Sequence, residues 1–281
     1  MSAEYIRNLE KLASQFEDRS VTLYFPDFET EPPADSLNQV YGPPVGVRAD
    51  NWPTYPDLPA LLRQASGRDE DAQISDLRME HLWTIDLRGL TGTGVPSQAR
   101  ALQLYVSNAA YHEAWTAGSD HTRVVVLGEA DLAAGRFTGE IPERSKTHTM
   151  KRFTLVPIAV PAAVFGKHAE GTPLAALHNA IWKAPARIGG EPIWLQGDPD
   201  EQDDFGYEPE DEDEGEGEGE DEDSEDEDSD DEAPSHIPPA PLGLPGFGWF
   251  IMQFDESFAD VNLGDCGVMY VTGDDAHFQC Y

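Results

Sequence analysis

The sequence predicts a β-rich α+β domain of two pseudo-repeated halves, with an N-terminal helix and a disordered acidic insert. Three observations predict it. Strand-like apolar segments outnumber helical ones from residue 79 onward. One order of motifs occurs twice: a Gly/Pro turn with a Trp, an apolar strand ending in Asp, then a strand carrying Tyr. The first copy reads "GPPVGVRADNWP" (42–53), "HLWTIDL" (81–87) and "ALQLYVSN" (101–108). The second reads "IGGEPIWLQ" (188–196), "WFIMQFDES" (249–257) and "DCGVMYVTG" (265–273). Third, a run of acids separates the turn of the second copy from its strand.

Each element has a local reason. Residues 4–16 put Tyr5, Ile6, Leu9, Leu12, Ala13 and Phe16 at helical spacing, with Ser2 placed to cap the start. Residues 20–50 are rich in Pro and Gly and read as loop, apart from a strand at "SVTLYF" (20–25). "YPDLPALLRQA" (55–65) reads as a short helix opened by Pro. Strands follow at 79–90 and 100–108; in the second, Leu102, Leu104 and Val106 share one face and Gln103 and Tyr105 the other. The continuous apolar run at 122–132 reads as a buried strand. A strand over 150–161 contains Pro157, which argues for a sheet edge or a bulge. Thr172 caps a helix over 172–183. Strands at 246–258, 266–273 and 276–281 complete the chain.

Residues 198–243 form the low-complexity insert, so the folded domain is assembled from 1–197 plus 244–281. Asp198–Glu232 holds 24 acids and no Lys or Arg. Adjacent carboxylates repel, and such a chain buries too little apolar area to offset its conformational entropy. The whole chain carries 54 acids and 18 bases, a net charge of −36; without this run 30 acids remain against 18 bases, a net of −12. This balance disfavours nucleic acid, whose phosphates require clustered Lys and Arg, and anionic membrane surfaces. A basic protein is the electrostatic match. No apolar stretch reaches the ~18–20 residues of a membrane helix, and "MSAEYIRNLEKLASQF" lacks the apolar core of a signal peptide. The two cysteines, Cys266 and Cys280, form no metal spacing or disulfide framework. A cytoplasmic protein without cofactor or metal is the expectation.

The C-terminal motifs carry a family resemblance. Gly189, Gly190, Pro192, Trp194 and Gln196 form a turn signature; Gln253 and Asp255 follow on a strand. Gly264, Asp265, Gly267 and Tyr270 form a hairpin, and Phe278, Gln279 and Cys280 close the chain. This set resembles the YwqG-like family and covers about a third of the chain; the acidic insert lies outside the family pattern. The resemblance implies a single α+β domain of duplicated β-units, and no particular enzymatic activity. It extends distantly to the programmed-cell-death-2 and ribosome-assembly group, which is regarded as chaperoning a ribosomal protein. Some bacterial members are regarded as immunity proteins. The cysteine pairs of the ribosome-assembly group are missing here.

Weak binding candidates are Trp194, Gln196, Gln253, Asp255 and Asp265; no catalytic residue is assigned. The Gly189–Gly190 turn could cradle an anion on backbone N–H groups, or be a turn that needs positive φ. Trp194 and Gln196 could meet a ligand, or cap a core and bond a neighbouring strand. Gln253 and Asp255 share a strand face and, with Asp265, could meet a cation, although no calcium loop is recognisable. Cys266 and His277 allow a nucleophile–base reading against plain packing. His112 and His121, with Asp120, read as scattered surface groups. The acid run could be a solubilising loop, a docking arm for a basic client, a nucleic-acid mimic or a loose Ca²⁺ buffer; Ser224, Ser229 and Ser235 within or beside it could accept phosphate. The leading expectation is a non-enzymatic cytosolic module that binds a basic protein, as an immunity-like antagonist or a client-holding chaperone. The alternative is an enzyme or small-ligand binder with a pocket near Trp194, Gln253, Asp255 and Cys266.

Overall fold

A computed structural model describes residues 1–54, 78–91, 94–106, 122–142, 146–195, 250–259, 263 and 267–279. The readings at 55–65, at His112, Asp120 and His121, and across the acidic run lie outside the described residues. So do Gln196, Asp265, Cys266 and Cys280. The chain divides into two compact units, one of residues 1–196 and 241–281 and one of 197–240.

Eleven strands are described: β1 (Val21–Asp27), β2 (Gln39–Val40), β3 (Glu80–Asp86), β4 (Ala101–Val106), β5 (Thr122–Leu127), β6 (Lys151–Arg152), β7 (Thr154–Val160), β8 (Ala186–Ile188), β9 (Phe250–Asp255), β10 (Val268–Thr272) and β11 (Ala276–Gln279). They form two antiparallel sheets. One has the order β11-β10-β9-β8-β1-β7 and the other β5-β4-β3-β2-β6. The helices are α1 (Ala3–Ala13), α2 (Glu129–Leu132), α3 (Pro173–Trp182) and α4 (Glu256–Ala259). This is a β-rich α+β fold.

The pleat sorts the side chains into three cores. Between the sheets, Leu102, Leu104 and Val106 of β4 meet Met252 and Phe254 of β9 and Met269 and Val271 of β10. Trp83 packs edge-on against Phe254 at 6.0 Å there. The outer face of the six-stranded sheet is covered by α1 and α3: Ile6, Leu9, Leu177 and Ile181 pack on Leu23, Phe25 and Ile158. The outer face of the five-stranded sheet buries Tyr105, Val125 and Leu127 beneath Val45, Trp52 and Phe137 from the connecting loops. β4 therefore alternates as its sequence does, yet it is buried on both faces.

Both long helices start where their caps stand. Ser2 accepts the Tyr5 N–H at 3.3 Å and Thr172 Oγ1 accepts the Ala175 N–H at 3.2 Å. Predicted strands end or break early, among them 79–90 at Asp86, and three others have local reasons. The 122–132 segment is β5 only to Leu127; Asp131 Oδ2 then accepts the Gly128 N–H and opens α2. That strand lies at a sheet edge rather than in its middle. The 246–258 segment yields β9 to Asp255, whose Oδ1 accepts the Ser257 N–H and starts α4. The 150–161 segment breaks at buried Phe153, where the chain leaves the five-stranded sheet as β6 and enters the six-stranded sheet as β7. Pro157 does lie in an edge strand, β7.

Candidate functional site

A polar ladder crosses three strands of each sheet. Arg187 on β8 pairs in register with Gln253 on β9, which pairs with Tyr270 on β10. In the other sheet Gln39 on β2 pairs with Thr84 on β3, which pairs with Gln103 on β4. Both ladders are buried, and both serve the Gly/Pro turn that follows the short first strand. Arg187 donates to Gly189 O at 2.8 Å and to Glu191 O at 2.6 Å. Gln253 Oε1 accepts from Arg187 at 2.9 Å and from the Ile193 N–H at 3.1 Å. The Tyr270 hydroxyl donates to Ile193 O at 2.9 Å and accepts the Leu195 N–H at 3.1 Å. Gln39 Nε2 donates to Tyr41 O and Pro43 O, and Gln103 Nε2 to Val45 O. A turn laid across a sheet cannot use ladder hydrogen bonds, so side chains satisfy its backbone instead.

The turns themselves begin alike. Gly189 and Gly190 have φ of 85° and 75°, Tyr41 and Gly42 of 58° and 74°. The Gly189 N–H donates to Ile251 O at 2.7 Å, and the Tyr41 N–H to Leu82 O at 2.8 Å. Gly190 is required twice over: its φ is left-handed, and a Cβ there would stand 2.4 Å from Phe165 Cζ and 2.7 Å from Leu23 Cδ2.

Arg187 is 1% exposed, and among the described residues no carboxylate pairs with it. Its guanidinium lies 5.5 Å from the Phe165 ring centroid and 5.2 Å from that of Phe250. Burial lowers its pKa to about 9, which keeps it charged at neutral pH. Three oxygens and two aromatic faces hold a cation there, though its Nε is buried without a hydrogen-bond partner.

Beyond the turn, Trp194 packs on Tyr270 at 4.3 Å and lines a cleft of about 1140 Å³. Phe165, Lys167, His168, Glu170, His178 and Asn179 are also in its wall. His168 Nε2 and His178 Nδ1 both lie on Val164 O, at 3.0 and 2.7 Å. A carbonyl only accepts, so each of those nitrogens carries a proton. His168 Nδ1 and His178 Nε2 are then the ring nitrogens that Val164 O does not hold.

The predicted residues thus separate. Trp194 borders the cleft; Gln253 is buried and ties the turn to the sheet. Asp255 lies beside a smaller cleft of about 330 Å³ with Gln253, Leu195 and Glu256, and its Oδ1 is taken by the Ser257 N–H and hydroxyl. His277 faces Asp275 Oδ2 at 3.8 Å. Sequence reading missed Arg187, Phe165, His168 and His178. Arg187 had one signal, its place immediately before the Gly-Gly turn; the histidines had none, because the sheet-crossing turn brings Trp194 to them. Among the described residues no group of three or more His, Cys, Asp or Glu side chains could hold a metal ion, and no helix is long and apolar enough to cross a membrane. No family model and no curated protein matches the chain. The YwqG-like resemblance rests on the motif residues alone.

Proposed function

We propose that this chain is a non-enzymatic cytoplasmic module that captures a basic protein, as an immunity-like antagonist or a chaperone-like holder. One observation carries the reading: 24 of its 54 acids fall in Asp198–Glu232 with no Lys or Arg among them. Such a charge density attracts a cationic surface over about a Debye length, ~10 Å at 0.1 M salt, and raises the encounter rate more than the final affinity. Docking then requires a shaped surface, and the Trp194 cleft is the candidate, four residues before Asp198 in sequence. The role taken by Gln253 agrees with this reading, since its Oε1 is taken by Arg187 and the Ile193 N–H. The equivalent ladders, Gln39–Thr84–Gln103 and Arg187–Gln253–Tyr270, support a domain of two related halves as the YwqG-like resemblance implies.

The test compares the full chain with a version lacking 198–243 in pull-downs at low and high salt, followed by titration of the captured protein. Capture of a basic protein by the full chain only, lost at high salt, is the expected result. Salt-insensitive capture of a neutral protein, or equal capture by both versions, would sink the proposal. A second reading, small-ligand binding, draws on the two histidines that line the cleft with Trp194. Quenching of tryptophan fluorescence by a metabolite mixture, abolished in Trp194→Leu, would favour it.

A further inference from the structure

The described part of this acidic chain holds a local reversal of charge. On the outer face of the five-stranded sheet a cleft of about 510 Å³ is lined by Arg48, Arg78 and Arg136, between apolar walls that include Val47 and Phe137. The whole chain has only 18 basic residues against 54 acids, so three guanidiniums around one opening need a reason.

Arg136 is held by neutral groups, and a carbonyl is one of the partners of Arg78. Arg78 donates to the backbone oxygen of Glu140 at 2.6 Å, and its guanidinium lies 5.8 Å from the Trp52 ring centroid. Arg136 donates from one nitrogen to Pro43 O at 2.7 Å and to Gln39 Oε1. Carbonyl acceptors fix a guanidinium in place without cancelling its charge. The acids at the rim are occupied or loosely placed. The Glu140 carboxylate takes Lys146 Nζ at 2.9 Å, and Asp50 meets Arg48 at 3.3 Å in a pair exposed by two-thirds or more on both sides. An exposed pair of that kind exchanges readily for a better ligand. Arg152, which hydrogen-bonds Pro33, Ala34 and Ser36 oxygens, adds to the same field. The pKa of Arg136 is lowered, by burial first and by Arg152 second.

We infer that this cleft binds a small, multiply charged oxyanion. The guanidinium fork fits phosphate and carboxylate oxygens two at a time. The volume is that of a small-molecule site, and the apolar walls strengthen the electrostatic attraction. Phosphate esters and polycarboxylates share this chemistry, so pyrophosphate and citrate serve as separate probes.

The experiment is calorimetric titration of the full chain with each probe at low ionic strength. One-to-one saturable binding of at least one probe is expected, weakened tenfold or more by Arg48→Gln and by Arg136→Gln. Arg7→Gln, on the exposed face of α1, leaves it unchanged. Pyrophosphate alone would mark a phosphate site, and citrate alone a carboxylate site. Arg136 also supports the turn at Pro43, so Arg48→Gln, whose exposed side chain is paired with Asp50, decides the matter if Arg136→Gln unfolds. Absence of saturable binding by both probes, or binding indifferent to Arg48→Gln, would overturn the assignment.

Discussion

At the scale of single residues, the Gly/Pro turns are fixed by side chains that look functional in the sequence. Gly190→Ala places a Cβ against Phe165 and Leu23 in a left-handed conformation, and a loss of about 2–3 kcal/mol in urea unfolding is expected. Gln253→Leu removes the acceptor for Arg187 and for the Ile193 N–H. Leaving buried donors unmet costs about 1–3 kcal/mol, and equilibrium unfolding of the variant measures it. His81 gives a pH signature. Its Nδ1–H donates to Gly42 O, and its Nε2 accepts from the Thr84 hydroxyl, which accepts in turn from Gln103. Burial, the largest cause, lowers its pKa from 6.5 to about 4. The unfolded chain therefore binds a proton between pH 6.5 and 4 that the folded chain does not. Stability from this group is complete above pH 6.5 and is lost as pH falls towards 4, by about 3 kcal/mol as an order of magnitude. His81→Gln should flatten that part of a stability–pH curve; an unchanged slope would contradict the assignment.

At the scale of elements, the sequence marks strands well where apolar and β-branched residues are dense or alternate over five residues or more, as in β3, β10 and the alternating β4. It marks both long helices through their Ser2 and Thr172 caps. β2 and β8, with two and three residues, are too short for any periodicity, yet Gln39 and Arg187 on them anchor the two turns. The same brevity hid part of the candidate site. Trp194 and Gln253 were legible because Trp and Gln are conspicuous beside a Gly-Gly turn; their division into cleft wall and clamp was not, because it depends on Tyr270 reaching across the sheet. Tyr41 shows the limit from the other side. It takes a left-handed conformation where its counterpart is Gly189, and its ring stacks on His148 at 4.1 Å. Pro157 was legible by chemistry, since a residue without an N–H suits an edge. Exposed at the middle of β7, it also withholds one donor from any strand approaching that edge. Pro157→Thr should restore a continuous edge and raise concentration-dependent self-association in sedimentation velocity, with little change in unfolding. A strictly monomeric variant would show that the edge is guarded by something else.

At the scale of the molecule, the acidic segment departs from and returns to one sheet. The Leu195 N–H is bonded to Tyr270 of β10, and Phe250 pairs with Thr272 of that strand. The 54 residues between them close a loop whose two ends are already brought together by the fold. Deleting 198–243 leaves eight residues to join neighbouring strand positions. For a flexible chain, closure entropy scales as (3/2)RT ln n, so the shorter loop gains roughly 1.7 kcal/mol. The deletion also cuts the net charge from −36 to −12, which lessens self-repulsion at low salt. Both effects have the same sign, and only the second fades as salt rises. The truncated protein should therefore unfold at higher urea than the full chain, with a gap that is wide at 20 mM salt and narrows to the closure term at 500 mM. A truncated protein less stable at every salt would mean that the acidic segment contributes contacts to the fold. It would then be part of the folded protein rather than an arm free to capture a partner.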